Sequence, residues 1–433
     1  MIWFVCACLV PAFAISWLMT WGMRLLAPRC GLVDQPAARK VHVVPTPLGG
    51  GVAIYLGVVI PLLLAQLTAY VLESSPLDKV FLPESLRAHL AGVLYRSGQL
   101  WAVIAAGTLL MTMGLLDDRF GLSWKARLSV QVLLSIALVM AGVRGTVLIA
   151  APWVGMVLTV IWMVVLINSL NFLDNMDGLA AGIALIAALL FAWIMLQLTR
   201  EPRWLVGGCL LILAGSISGF LCHNWTPAKI FMGDAGSTFI GLMLSTLTVL
   251  GTFYEENFQE EHVLLAPLFI LAIPLYDFMT VLGIRLRNGK SPFQPDRNHF
   301  SHRLTDLGLN RQYAVLTVHF ATLATGLGAI LLYHVHTWPA AWLVIAIELS
   351  LLVIVSILES AGRKQSLVAK SLQELSIHDV PTEPFLPPPA PPSTASAGPD
   401  HPDHHKPSVR MSASKEPEVN GTSLPQEKIP VQE

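Results

Sequence analysis

The protein has 433 residues, of which 54% are hydrophobic and 13% charged, with a mean hydropathy of +0.62 and a formal net charge of -1. This composition excludes a soluble globular domain of ordinary type and predicts an integral membrane protein. The net charge itself says little about partners, because the placement of Lys and Arg matters more than their sum; no nucleic-acid partner is expected.

Apolar runs of about 20 residues predict eleven membrane-spanning helices, and therefore an all-α polytopic membrane bundle. The first run, Ile2 to Leu26, has no basic residue before Arg24, so it is expected to be an uncleaved span and not a signal peptide. The predicted spans are 2–26, 48–70, 99–116, 127–149, 152–172, 178–198, 204–223, 236–253, 263–284, 312–333 and 338–359.

The distribution of positive charge orients these spans. With the N-terminus outside and an odd number of crossings, the inward-facing loops hold fourteen Lys and Arg residues and the outward-facing loops hold six. This bias agrees with the positive-inside rule. We therefore expect a multi-pass protein of the cell (inner or plasma) membrane with a cytoplasmic C-terminus, and a short interfacial amphipathic helix over residues 82–95 of the longest outward loop.

The chain divides into two predicted domains. Residues 1–360 form the polytopic membrane domain, which holds all the predicted spans. Residues 361–433 contain the segment PTEPFLPPPAPPSTASAGP, too rich in proline and small polar residues to form a core. A disordered cytoplasmic tail is predicted.

Polar residues gather at the end of the run 153–167, in NSLNFLDNMDGL. Asn168, Asn171, Asp174 and Asp177 recur every third residue, so they would share one face if the helix continued through them. Helix capping explains one or two such residues but not five amide or acid side chains. Acids beside lipid are functional by default, and an oxygen-rich wall at the membrane edge is predicted.

Two further acidic motifs follow the same logic. Asp117 and Asp118 are adjacent in LLDDRFGLSWKARL, and adjacent carboxylates need a nearby cation, which is either a metal or the basic side chains that follow. Asp234 stands between two glycines in FMGDAGS, where the backbone can approach a ligand closely. One such carboxylate suits a Mg²⁺ that takes its other ligands from phosphates.

Basic residues supply the complementary charge. The loop 285–311 places Arg297, His299, His302 and Arg303 within seven residues, a pattern typical of phosphate recognition. The stretch RKVHVVPTPLGGG adds Lys40 and His42 before a Pro and Gly turn. All these sites fall on the predicted cytoplasmic face, which favours phosphoryl transfer between a soluble donor and a lipid acceptor.

Jointly, the motifs LDDR, NxxNxxDxxDGL, FMGDAGS and PDRxHFxHRL resemble the polyprenyl-phosphate N-acetylhexosamine-1-phosphate transferases, a membrane superfamily that includes phospho-N-acetylmuramoyl-pentapeptide transferase. The resemblance covers residues 29–311. It implies transfer of a sugar 1-phosphate from a UDP-sugar to undecaprenyl phosphate, giving the lipid diphosphate sugar and UMP, with Mg²⁺ (or Mn²⁺) as cofactor. This would be the first membrane step of a cell-envelope glycan such as lipopolysaccharide O-antigen.

The same resemblance assigns roles to the motif residues. It implies Asp117, Asp118 and Asp234 as catalytic residues, with Asp117 engaging or deprotonating the lipid phosphate, and Asp234 with Asp174 as metal ligands. The implied substrate-binding residues are Asn171, Asp174, Asp177, Phe231, which would stack on uracil, Arg297, His299, His302, Arg303, Lys40 and His42.

Two positions differ from the family pattern, and two alternatives stay open. Ser301 stands between the two histidines where the family often reads HxHH, and Asn175 replaces a glycine common after Asp174. The extended PDRxHF version resembles the N-acetylglucosamine branch more than the muramoyl-pentapeptide branch, which is the nearest enzymatic alternative. An alternative of another class is a cation-coupled transporter, whose acids would lie nearer the bilayer midplane. A homodimer is also left open.

Overall fold

The computed structural model describes residues 1–36, 44–74, 92, 94–145, 151–251, 261–291 and 298–378, and these residues form a bundle of helices. The predicted all-α polytopic architecture is confirmed for this part of the chain. The predicted interfacial helix, except for its last residues, and the tail from residue 379 lie outside the described residues.

The helices are numbered here in chain order. They are α1 (Ile2–Leu26), α2 (Gly50–Glu73), α3 (Ser97–Phe120), α4 (Trp124–Met140), α5 (Pro152–Leu173), α6 (Leu179–Trp193), α7 (Trp204–Asn224), α8 (Gly233–Leu250), α9 (Ala266–Ile270), α10 (Ala272–Arg287), α11 (Phe300–Asp306), α12 (Arg311–Leu332) and α13 (Trp338–His378). Short 3-10 turns occupy Ala27–Cys30 and Glu261–Leu265, and a π-helical turn at Ile194–Leu198 continues α6.

Within the described residues, nine helices are long and apolar enough to cross a membrane, compared with eleven spans predicted. The ninth predicted span is instead a pair of helical segments, Glu261–Ile270 and Ala272–Arg287, bent by 67° at Leu271. Pro274 explains the break, because it has no N–H to donate to the carbonyl of Ile270 in a continuous helix. The fourth predicted span is α4, whose 17 residues are short for a straight crossing.

Helix α8 lies at the centre of the bundle, where it packs against α2, α3 and α5. Small residues allow these close approaches. A Cβ added to Gly51 of α2 would overlap the backbone of Gly236, and one added to Gly114 of α3 would overlap the backbone of Ala235. The start of α8, which carries Asp234, is therefore held tightly against the end of α3, which carries Asp117 and Asp118.

Replacing Gly114 by alanine is expected to lower the free energy of unfolding by about 1–3 kcal/mol, because the added methyl group must push α3 away from α8. Thermal unfolding of the purified protein measures this loss. Gly98→Ala is the matched control. Gly98 lies in the same helix, and a Cβ added there has no neighbouring atom within 4 Å. Equal unfolding temperatures for the two variants would contradict the tight packing.

The Pro and Gly turn before α2 binds the segment that leads into α8. Strand β1 (Val33–Asp34) pairs with β2 (Thr46–Pro47) in a two-stranded antiparallel sheet. The N–H of Phe231 donates to the carbonyl of Pro47 at 2.9 Å, and the N–H of Gly50 donates to the carbonyl of Phe231 at 3.0 Å. The turn therefore anchors the FMGDAGS motif through its backbone.

Residues Met1–Ile377 form one compact unit. Helix α13 runs past the predicted domain boundary at residue 360 and ends at His378. The predicted division into a membrane domain and a tail stays a prediction.

Candidate active site

Asp117, Arg127 and Asp234 meet where α3, α4 and α8 come together. The Nη1 atom of Arg127 lies 2.6 Å from Oδ2 of Asp117 and 2.8 Å from Oδ2 of Asp234. Asp117 is buried, whereas the side chain of Asp234 is 30% exposed. Two carboxylates from distant parts of the chain thus share one cation. This agrees with the prediction that the acids of LDDR need a positive charge beside them.

The turn between α3 and α4 aims Arg127 at these carboxylates. The N–H of Leu122 donates to Oδ1 of Asp117 at 2.6 Å, which ties the turn to the end of α3. Ser123 then starts α4 by accepting the N–H of Ala126 on its hydroxyl, at 3.3 Å. Arg127 follows in the first turn of α4 and faces back towards α3. Of the basic residues after LDDR, this is the one that neutralises the pair.

Asp118 holds the start of α8. Its Oδ1 accepts the backbone N–H of Asp234 at 2.9 Å, and its Oδ2 accepts that of Ala235 at 3.4 Å. A carboxylate is favourable there because the first N–H groups of a helix have no partner within the helix. Gly233 has a φ of 69° and its Cα faces this carboxylate so closely that a Cβ would overlap it. Asp118 therefore positions the backbone that carries Asp234.

The oxygen-rich wall predicted for the NxxNxxDxxD motif forms only in its first half. Asn171 donates from Nδ2 to Oδ1 of Asp234 at 2.7 Å and to Oγ of Ser237 at 3.0 Å, and Asn168 donates to Oε1 of Gln131 at 2.6 Å. Helix α5 ends at Leu173 and α6 begins at Leu179. The chain turns between them, so Asp174 and Asp177 do not continue the face of Asn168 and Asn171.

Asp177 and Asp174 have different surroundings within this turn. Oδ2 of Asp177 accepts the N–H of Ala228 at 2.9 Å, which anchors the segment between α7 and α8. Burial raises the pKa of the Asp174 carboxyl to about 8, and the negative charges of Asp118, Asp177 and Asp34 contribute to the increase. A cation placed beside Asp174 would stabilise its ionised form.

The residues present suit Mg²⁺ in part. Among the described residues, no group of three His, Cys, Asp or Glu side chains lies close enough to hold a metal ion without further ligands. Mg²⁺ commonly binds through one or two carboxylates and takes the remaining ligands from water and substrate phosphates. The partly exposed carboxylate of Asp234 fits this mode of binding, and so does the carboxylate of Asp174, which has other negative charges nearby.

A narrow cleft opens beside the Asp117, Arg127 and Asp234 cluster. It has a volume of about 10 Å³, close to that of one water molecule, so substrate entry requires side chains to move apart. Its lining includes the polar residues Gln131 and Asn171 and the apolar residues Met113, Trp124 and Leu128. A cleft lined by both polar and apolar side chains can receive an amphiphile with a charged head.

A buried aspartate outside the sequence motifs holds the start of α11, the short helix that carries His302. Nδ1 of His299 lies 2.8 Å from Oδ2 of Asp277, and the N–H of Phe300 donates to Oδ1 of the same carboxylate at 2.7 Å. Asp277 is fully buried in α10. Since an ionised carboxylate only accepts, Nδ1 of His299 is the donor and Nε2 is left for another partner. A lone acid in the apolar run LAIPLYDFMTVLG was the available signal.

Contacts from α5 and the following turn complete the seat of α11. The ring of His299 meets the edge of Phe172, with centroids 6.2 Å apart, and is 6.4 Å from the ring of His302. Ser301 donates from Oγ to Oδ1 of Asn175 at 2.9 Å. The two positions that differ from the family pattern therefore contact each other and join α11 to the turn that carries Asp174.

Two of the remaining predicted site residues, Arg303 and Phe231, lie in the described part of the chain. Arg303 is buried and pairs with Asp306 at 3.2 Å and with Asn298, so its guanidinium group stabilises its own segment. Phe231 is half-buried and fixed by its backbone, and stacking on uracil stays a prediction. The predicted residues Lys40, His42 and Arg297 lie outside the described part of the chain.

Replacing Asp277 by asparagine is expected to lower kcat/KM for the substrate bound by His299 by roughly 10- to 100-fold, the scale of losing a hydrogen bond to a charged group. The change removes the charge that fixes the imidazole while keeping the side-chain size. Steady-state kinetics measures it, with the exposed Glu261→Gln as control. Unchanged kinetics for Asp277→Asn would show that the pair only stabilises the fold.

The sequence of the chain is similar to a known family and to several characterised proteins. Residues 100–252, from α3 to the end of α8, match the model of glycosyl transferase family 4. The chain is 35% identical over 337 residues to the decaprenyl-phosphate N-acetylglucosaminephosphotransferase of Mycobacterium tuberculosis H37Rv, covering 72% of this chain and 78% of the relative.

Two relatives of lower sequence identity have names that describe the same kind of transferase. The chain is 29% identical over 348 residues to the probable undecaprenyl-phosphate N-acetylglucosaminyl 1-phosphate transferase of Bacillus subtilis, covering 78% of this chain and 88% of the relative. It is 29% identical over 342 residues to the undecaprenyl-phosphate alpha-N-acetylglucosaminyl 1-phosphate transferase of Escherichia coli K12, covering 75% and 83%. The matched family segment contains Asp117, Asp118 and Asp234.

Proposed function

The chain belongs to glycosyl transferase family 4, within the polyprenyl-phosphate N-acetylglucosaminephosphotransferases, and we propose that it transfers N-acetylglucosamine 1-phosphate to a polyprenyl phosphate in the membrane. The observation that carries this proposal is the meeting of Asp117, Arg127 and Asp234 at one cleft lined by both polar and apolar side chains. Its apolar helices make it a multi-pass membrane protein.

In the proposed reaction the donor is UDP-N-acetylglucosamine and the acceptor is undecaprenyl phosphate. An oxygen of the lipid phosphate attacks the phosphorus that bears the sugar, the bond from that phosphorus to the bridging oxygen breaks, and UMP leaves with that oxygen. The products are UMP and undecaprenyl-diphosphate-N-acetylglucosamine. Such a transfer requires alignment of the two phosphates and neutralisation of their negative charge.

The residues of the cleft can meet both requirements. Asp117 accepts a proton of the lipid phosphate on its carboxylate, and Arg127 holds the phosphate oxygens by charge. Asn171 fixes the orientation of the Asp234 carboxylate, and Asp118 fixes its backbone. Met113, Trp124 and Leu128 contact the first isoprene units of the lipid.

The donor occupies the side of the site formed by the turn after α5 and by α11. Nε2 of His299, with Nδ1 held by Asp277, donates to an oxygen of the donor diphosphate when the imidazole is protonated. Asp234 and Asp174 would hold Mg²⁺, which supplies neutralisation of the diphosphate charge. The site faces the cytoplasm in this proposal, because nucleotide sugars are soluble and the positive charge bias favours that side.

The proposed function is tested by transfer of radiolabelled sugar 1-phosphate to undecaprenyl phosphate by the purified protein, with Mg²⁺ or with EDTA. Lipid-linked product from UDP-N-acetylglucosamine is expected with Mg²⁺ and none with EDTA. UDP-N-acetylmuramoyl-pentapeptide is the competing donor, and its preference would assign the peptidoglycan reaction instead. Absence of product with every donor would contradict a transferase and favour the transporter.

A further inference from the structure

Helix α13 contacts α10 and α11, the two helices that position His299 and His302. Glu359, Gly362 and Arg363 lie three and four residues apart and so share one face of α13. Glu359 is 3% exposed and Gly362 is buried. This face, defined by these three residues, packs against α10, whose Asp277 holds His299, and against α11, which carries His302.

The first contact joins α13 to α10. The hydroxyl of Tyr276 donates to Oε2 of Glu359 at 2.7 Å, and Nη2 of Arg363 donates to Oε1 of Glu359 at 2.7 Å. Both carboxylate oxygens therefore have a donor, as a buried charge requires. Tyr276 directly precedes Asp277, so the residue that binds α13 and the residue that holds His299 are neighbours in one helix.

The second contact joins α13 to α11. A Cβ added to Gly362 would overlap the carbonyl oxygen of Arg303, so the two helices touch through their backbones. Arg303 lies one residue after His302 in α11, a helix of seven residues. A helix this short has little stability of its own, and its orientation depends on what packs against it.

The bend at Leu271 gives α10 a direction different from that of the segment before it. Helix α10 leaves α9 at 67°, so its direction does not follow from a straight span across the membrane. Asp277 on α10 sets the position of His299, and Tyr276 sets the position of α10 against α13.

We propose that Glu359 and Gly362 are positioning residues that fix α10 and α11 so that His299 and His302 meet the diphosphate of the donor. The inference rests on the proposed function, because it takes the histidines to bind the nucleotide sugar. It assigns to the middle of α13 a role in donor affinity, although this helix carries none of the motif residues.

The test replaces Tyr276 by phenylalanine, which removes one hydroxyl and leaves an oxygen of Glu359 without its donor. KM for UDP-N-acetylglucosamine is expected to rise about tenfold, equivalent to about 1.4 kcal/mol, with kcat and the KM for undecaprenyl phosphate nearly unchanged. Gly362→Ala is expected to act in the same direction. Affinity for UDP alone, measured by titration calorimetry, is expected to fall in parallel.

Two matched controls separate this role from general stability. Tyr313→Phe removes the same hydroxyl from an exposed tyrosine of α12, and Glu348→Gln alters another buried acid of α13, one that faces Gly328 of α12. Both are expected to keep the wild-type KM for the donor. The double variant Tyr276→Phe with Glu359→Gln is expected to resemble Tyr276→Phe alone, since the two changes remove one interaction.

The outcomes are distinct. A rise in donor KM in both Tyr276→Phe and Gly362→Ala, absent from the controls, supports the inference. Wild-type donor KM in both variants, or a fall in unfolding temperature or kcat without a change in donor KM, overturns it while the proposed function stands. A wild-type protein that forms no product from UDP-N-acetylglucosamine overturns the proposed function, and the inference falls with it.

Discussion

Asp234→Asn is expected to lower kcat by about 10³-fold, the largest effect of any single substitution considered for this protein. The carboxylate of Asp234 faces the shared guanidinium of Arg127 and the amide of Asn171, and it is the most accessible acid of the cluster. Asparagine keeps the shape and removes the charge. Product formation is measured with both substrates at saturating concentration, so that the loss reports the chemical step.

A control variant and the unfolding temperature distinguish loss of catalysis from loss of folding in Asp234→Asn. Glu73→Gln, at an exposed position near the end of α2, is expected to keep wild-type activity. The unfolding temperature of Asp234→Asn should not fall much, because Asp118 still caps α8 through the backbone N–H groups of residues 234 and 235. Activity within tenfold of wild type would show that Asp234 only orders Arg127 and Asn171.

The sequence predicted most of the helices and the convergence of several acidic-motif residues. Apolar runs predict where helices lie because each span must bury its backbone polar groups internally. Asp117, Asp118, Asn171 and Asp234 meet as expected, since polar residues at the ends of spans on one side of a membrane collect at one surface.

The end of α5 could not be predicted from the spacing of its polar residues. A three-residue repeat fits a helix only as far as the helix continues, and α5 ends at Leu173. The amide of Asn175 donates to the carbonyl of Phe172 at 2.9 Å, and the N–H of Gly178 donates to Oδ1 of Asn224 at 2.9 Å. The first bond closes the turn locally and the second ties it to α7, so a turn forms in place of further helix. Spacing along the chain does not reveal the contact with α7.

The partners of the site also depend on tertiary contacts. Asp277 and Ser301 act through residues 22 and 126 positions away, so neither pairing is visible in a local motif. The two departures from the family pattern, Ser301 and Asn175, appear unrelated in the sequence and contact each other in the structure. Hydropathy likewise measures the length of an apolar run but not its bend, which is why the segment around Leu271 was predicted as one span.

Arg127→Met is expected to lower kcat by about 10²- to 10³-fold, the scale of losing one group that stabilises charge in a transition state. The substitution leaves Asp117 and Asp234 without the cation they share and removes the group proposed to hold the lipid phosphate. Arg127→Lys is expected to recover part of the activity, because lysine keeps the charge but not the fork of donors. Lys125→Met, an exposed residue of the same helix turn, is the control for loss of charge.

The dependence on Mg²⁺ concentration separates two roles for this arginine. If Arg127 binds phosphate during the reaction, its loss lowers kcat even at saturating Mg²⁺. If it only occupies the place of a cation between Asp117 and Asp234, its loss lowers the Mg²⁺ concentration needed for half-maximal rate and leaves kcat near the wild-type value. The cleft is too narrow for a phosphate unless a side chain moves, and Arg127 bridges its two acids. We therefore expect the first result, in which Arg127 leaves the carboxylates to meet the lipid.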